Sequence, residues 1–146
     1  MARIFARNAA LLAAAMLLSF TAACGSDKST GPDLEDVAGS YEATVLTATQ
    51  AGTEHDVIAA GAIIELVLDE DGTTAGHLSI PASDLSNGEA VDADMAGSWT
   101  LDGTTVHITQ SADTFIRDLP LAVDGSNLTG DATFDDVQVH LVMSRR

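Results

Sequence analysis

From Asp33 onward apolar and polar residues alternate with a period of two, and no stretch holds a period of 3.6 over three turns. That pattern predicts strands rather than helices. Eight runs carry it, at 39–47, 62–68, 73–80, 97–101, 104–109, 119–123, 127–134 and 137–143. The stretch 82–96, with Asn87-Gly88 and scattered acids, reads as a loop. Asp71-Gly72, Asp102-Gly103 and Asp124-Gly125 each lie between two runs, and Asp-Gly suits a tight hairpin because both residues tolerate positive φ. Asp135-Asp136 makes a fourth short join. The joins pair the second run with the third, the fourth with the fifth, the sixth with the seventh and the seventh with the eighth. The expected fold is all-β: a small eight-stranded antiparallel up-and-down barrel over residues 37–146, with a β-sandwich as the alternative. Closure removes both exposed edges of such a meander.

Within the runs the alternation assigns faces. Val137, Val139, Leu141 and Met143 share one face of the last run, Val106 and Ile108 one face of the fifth, and Leu78 and Ile80 one face of the third. These faces are expected to point inward, together with Leu46, Ile64, Leu66, Leu68, Trp99, Leu101, Leu119, Leu121 and Val123. A barrel of eight strands is either filled by its side chains or holds one small ligand. The many medium-sized aliphatics lean toward a filled interior.

The N-terminus follows another pattern. Arg3 and Arg7 precede a continuous apolar run at 9–18, and the small residues Thr21-Ala22-Ala23 follow. This is the layout of a secretory signal over residues 1–23. The run is short of the roughly 20 apolar residues that a transmembrane helix needs. Thr21-Ala22-Ala23-Cys24 resembles the lipobox of bacterial lipoproteins, with Thr21 standing where Leu is usual. The resemblance implies cleavage before Cys24, a diacylglyceryl thioether on Cys24, and an acylated amino group. It thus implies a membrane partner held through an N-terminal lipid anchor. Several acyl chains anchor firmly, whereas one alone is marginal. Gly25, rather than Asp, follows the cysteine, which in diderm lipoproteins implies sorting to the outer membrane. Residues 24–36, opening Gly25-Ser26-Asp27-Lys28-Ser29-Thr30-Gly31-Pro32, read as a flexible tether.

Charge narrows the partners. The chain carries 22 acidic residues against 6 Lys plus Arg, and without Arg3 and Arg7 four basic residues remain, for a formal net charge of −18. Such a domain repels nucleic acid and anionic membrane surfaces, so nucleic-acid binding is excluded. Solubility, or a salty medium, is the plain explanation of the acidity. Cys24 is the single cysteine, so no internal disulfide forms, and lipidation accounts for the leftover thiol.

No catalytic constellation stands out. His77, His107 and His140 fall on the polar faces of their runs, without an HxH or HExxH spacing. Asp69-Glu70-Asp71-Gly72 offers oxygens suited to Ca²⁺ but lacks the remaining EF-hand positions, so a hairpin turn explains it without metal. There is no Gly-x-Ser-x-Gly elbow. Arg117, isolated between Lys28 and Arg145-Arg146, is expected to pair with Asp118 or Asp113, the sharper reading being an anion-orienting group at a barrel mouth. No metal, no cofactor and no enzymatic activity are expected.

Gly39-Ser40-Tyr41 at the first run resembles the Gly-x-Trp that opens lipocalins, with Tyr41 in place of Trp, and Gly97-Ser98-Trp99 repeats the form mid-chain, as in several bacterial lipocalin-like domains. The resemblance implies the barrel shape. The expected function is a monomeric, non-catalytic binding or interaction module of the envelope. The alternatives are a carrier of a small apolar ligand and a structural protein with a filled barrel. An apolar cavity of about 300 Å³ or more would favour a ligand, and an interior at normal packing density would favour a protein partner.

Overall fold

Strands form where the alternation puts one side of each run in a common interior. The computed structural model describes residues 31–86 and 88–146. The expected signal 1–23, Cys24 and the tether up to residue 30 lie outside the described residues. The helical turn α1 (Leu34–Val37) leads into nine strands: β1 (Gly39–Gln50), β2 (Thr53–Asp56), β3 (Ile63–Leu68), β4 (Thr73–Ile80), β5 (Val91–Asp102), β6 (Thr105–Gln110), β7 (Leu121–Asp124), β8 (Asn127–Phe134) and β9 (Val137–Arg145).

All neighbours pair antiparallel, in the order β2-β1-β3-β4-β5-β6-β7-β8-β9, and β9 pairs back onto β1 from Tyr41↔Arg145 to Gln50↔Val137. That last ladder closes an eight-stranded barrel, with β2 as an extra strand, and sets the sandwich aside. The hairpins at Asp71-Gly72, Asp102-Gly103 and Asp124-Gly125 join the strands that the sequence pairs. Gly103 and Gly125 take φ of 61° and 60°, and Asp135 takes 50°, the left-handed values that two-residue hairpins require.

Two regions depart from the sequence reading. The stretch 82–96 is not all loop, because Val91–Ala96 forms the first half of β5. Val91, Ala93 and Met95 stand opposite Ile80, Leu78 and Gly76 of β4, and Asp92 and Asp94 alternate with them. Asp and Ala are poor strand formers, so cross-strand pairing rather than local preference makes this strand. The second is β2, exposed at all four residues and therefore without an apolar alternation to read. It folds back from β1 through Ala51 and Gly52, with φ of 50° and 81°. In β1 a bulge between Ala43 and Val45 shifts the register with β9. Two successive residues, Thr44 and Val45, then point outward, while Tyr41, Ala43, Leu46 and Ala48 stay buried. The half of β1 before the bulge pairs with β3, and the half after it pairs with β2.

The wall is uneven in a second place. β6 and β7 pair at only two positions, Thr105↔Ala122 and Val106↔Leu121. The segment between them, with a 3₁₀ turn at Phe115–Asp118, inserts Ile116 and Leu119 into the core, both essentially inaccessible. The strand expected at 119–123 accordingly begins at Leu121, after Pro120.

Candidate interaction surface at the barrel mouth

The interior is occupied by side chains. Leu46, Ile64, Leu66, Leu68, Leu78, Leu121 and Leu141 are fully buried, with Met95, Ile116, Leu119, Leu128 and Met143 among them. The sequence reading missed Met95, because it lay in the supposed loop, and Ile116, because no alternation surrounds it. Leu101 and Val123 are only partly buried and pack against this core. Gln110 and Thr114 are also buried, and Gln110 Nε2 donates to Thr114 Oγ1 at 2.6 Å. Among the described residues Gln110 Oε1 finds no hydrogen-bond donor.

The two ends of the barrel differ. At the end where β1 begins and β9 finishes, α1 lies against the strands, with Val37 1% exposed. The Tyr41 hydroxyl donates to the Val37 carbonyl at 2.5 Å. Arg145 reaches over the Tyr41 ring, 5.6 Å from its centroid, and donates to the carbonyls of Asp36 and Ala38. Burial pushes the Tyr41 phenol up from its ordinary pKa, against the lowering pull of Arg145. The Trp99 indole N–H donates to the Asp69 carbonyl at 2.9 Å, and the Trp99 backbone N–H to Gly72 at 2.8 Å. The two Gly-x-aromatic motifs thus both serve this end: Tyr41 ties down the incoming chain and Trp99 clips the β3–β4 hairpin. Gly97 of the second motif permits close strand approach, since a Cβ there would lie 2.0 Å from the Thr109 carbonyl oxygen.

The opposite end is a mouth. An apolar recess of about 200 Å³ opens there, walled by residues that include Leu46, Val57, Ile80, Val91, Phe115 and Val139. Phe115 and Phe134 meet edge to face, with centroids 6.3 Å apart. A second concavity of about 590 Å³ shares Val57, Ile80 and Ser83 with the recess and is also lined by Glu54, His55, Asp56 and Asp84. An apolar recess and an acidic groove therefore adjoin. The sequence singled out neither. Their residues come from β1, β2, β4, β5, β9 and the 3₁₀ turn, and only closure of the barrel brings them together.

Of the sequence candidates, Arg117 belongs to the 3₁₀ turn that carries Phe115 at the recess wall, whereas the histidines His77, His107 and His140 and the Asp69–Gly72 turn are not among the residues that line the recess. The His77 Nδ1–H donates to the Asp94 carboxylate across 3.0 Å, and its Nε2 lies 3.5 Å from Asp92. The Asp94 hydrogen bond, with help from Asp92 and Glu65, raises the His77 pKa from its ordinary value. His140 pairs with Asp131 at 2.7 Å. His77, His107 and His140 occupy β4, β6 and β9, which are not neighbours in the sheet. Among the described residues no group of three or more His, Cys, Asp or Glu is arranged to hold a metal. In the Asp69–Gly72 turn, Asp71 Oδ1 accepts the Thr73 hydroxyl at 2.6 Å and the Thr73 N–H at 2.9 Å, which lowers the Asp71 pKa. Arg117 pairs with both of its expected partners, Asp113 at 2.9 Å and Asp118 at 2.8 Å. Its guanidinium holds the Asp118 carboxyl below the usual range. Cys24 lies outside the described residues. The chain matches no protein-family model and no curated protein.

Proposed function

We propose that the chain is an exported lipoprotein, anchored to the outer membrane through lipid on Cys24, whose barrel is a non-catalytic interaction module rather than a carrier. The signal layout over 1–23 and the lipobox at Thr21-Ala22-Ala23-Cys24 support the anchor. The observation that carries the module reading is the packed interior. Large aliphatic side chains fill it, and the recess at the mouth, about 200 Å³, falls below the roughly 300 Å³ at which small-molecule pockets begin. A surface that presents one small apolar recess beside an open acidic groove suits a partner that inserts a side chain better than a ligand that must be enclosed. The described chain enters the barrel at the α1 end, so that is the end joined to the segment that carries Cys24.

The test is the mass of the protein purified from membranes of its native host, taken under denaturing and then native conditions. The expected result is a chain beginning at Cys24 with covalent acyl mass, and no additional mass under native conditions. An unmodified chain cut near Cys24 overturns the anchor. A stoichiometric apolar molecule seen only under native conditions overturns the filled-barrel module in favour of carriage.

A further inference from the structure

We infer that the barrel mouth docks a cationic peptide segment that inserts one bulky apolar side chain into the recess and lays its basic residues along the adjoining acidic groove. The inference rests on the interaction-module reading above and names the partner's chemistry. Two observations meet at Val57, Ile80 and Ser83, which belong to both concavities. The first is size and lining: about 200 Å³ with an apolar wall is room for one large side chain, the kind of anchor around which protein interfaces concentrate their energy. The second is charge. The groove carries Glu54, Asp56 and Asp84 with His55 as its one nitrogen base. Arg117, two residues from Phe115 at the recess wall, is already held by Asp113 and Asp118. Glu54 and Asp84 form no ion pair among the described residues and are solvent-exposed. A free carboxylate beside an apolar recess favours Lys or Arg flanking the anchor, and the field of a strongly acidic domain steers such a segment toward it.

β2 adds a backbone feature. Among the described residues it pairs with β1 alone, so its other edge has no described strand beside it, and Glu54, His55 and Asp56 of β2 line the groove. An extended segment lying there can reach unpaired main-chain groups while its side chains reach the groove and the recess.

The test is calorimetric titration of the purified full-chain protein with a synthetic peptide in which lysines flank a single tryptophan. The expected result is saturable binding that weakens at least about tenfold when the tryptophan becomes serine and disappears when the lysines become glutamates. Val91→Arg, at the rim of the recess, is expected to weaken binding about tenfold. The double variant Glu54→Gln, Asp84→Asn changes only exposed side chains and so guards against misfolding. It is expected to weaken binding about threefold at low salt, with the difference lost near 0.5 M salt. Equal affinity for the lysine and glutamate peptides, or unchanged affinity in both variants, overturns the inference. A long-chain fatty acid serves as the control probe. If it binds stoichiometrically and displaces the peptide, the interaction-module reading falls and the inference falls with it. If neither probe binds, the docking inference alone is overturned.

Discussion

The α1 end and the mouth are built from the same strands by opposite means. At the α1 end the backbone turns are tight, three of them Asp-Gly hairpins, and polar groups are tied to backbone carbonyls: Tyr41 to Val37, Trp99 to Asp69, Arg145 to Asp36. At the mouth the wall is irregular. β5 extends past the pairing of β6, the Phe115–Asp118 turn fills the gap, and β1 leaves β3 for β2 after its bulge. The first end fixes each residue through a named hydrogen bond, so its energy is concentrated. The second leaves apolar side chains facing a recess and carboxylates facing water, so it has surface to give to a partner. The expectation is that the first end holds the fold together and that the rim of the second can vary without unfolding it.

That division is open to a direct break. Trp99→Ala removes the largest side chain at the α1 end, together with the indole bond that clips the β3–β4 hairpin, at a residue only 3% exposed. The expected loss is about 3–5 kcal/mol of folding stability in denaturant unfolding. A loss under about 0.5 kcal/mol would place the stability of the barrel elsewhere. Tyr41→Phe is gentler, since it keeps the ring beneath Arg145 and removes only the hydroxyl bonded to Val37. About 1 kcal/mol is expected, accompanied by earlier hydrogen exchange in Leu34–Val37 than in the strands. If exchange in that helical turn does not change, the Tyr41 bond is not what secures it.

The two ends also differ in how far the sequence disclosed them. Strand pairing at the α1 end was legible because Asp-Gly hairpins and clean alternation are local signals, and Val106, Ile108, Leu141 and Met143 point inward as their spacing requires. The roles of Tyr41 and Trp99 were legible only as motifs. Arg145 gave no signal, because its contact with Tyr41 joins the two ends of the barrel sequence and depends on β9 closing onto β1. At the mouth little could be read. Val91, Ala93 and Met95 alternate with acids inside a stretch of weak strand formers, and β2 has no apolar face. The recess and its groove exist only after strands distant in sequence converge, a fact of topology that no local pattern encodes.

The mouth predicts a smaller effect from the same kind of experiment. Val91 is about a third exposed at the recess rim, with Ile80 opposite on β4. Val91→Ser removes apolar surface that is already partly wet, so about 0.5 kcal/mol or less is expected, well below the cost of Trp99→Ala. Denaturant unfolding of both variants side by side gives the contrast. If Val91→Ser costs as much as Trp99→Ala, the mouth is part of the structural core, and the contrast between the ends collapses.

The smallest effect belongs to the outer wall. His77 stands between Glu65 and Asp94 in the strand register, with Asp92 on its other nitrogen. Asp94 raises its pKa, so the protonated form is favoured in the folded protein. The linkage then runs in one direction. The contribution of His77 is fully present below the ordinary histidine pKa of 6.5 and is lost as pH rises through the higher folded value. Asp71 runs the other way. Its pKa is lowered by Thr73, so its contribution is present above 3.8 and is lost as pH falls through the lower folded value. Both groups are exposed and act through water, so unfolding experiments are a poor gauge, and the imidazole itself is the better reporter. An NMR titration of the His77 ring is expected to show a midpoint above 6.5 that moves back down in Asp94→Asn. A midpoint that ignores Asp94→Asn would mean that the pair is a surface contact without consequence for the proton. The outer wall would then contribute solubility alone, leaving the recess and its acidic groove as the chemically differentiated surface of the barrel.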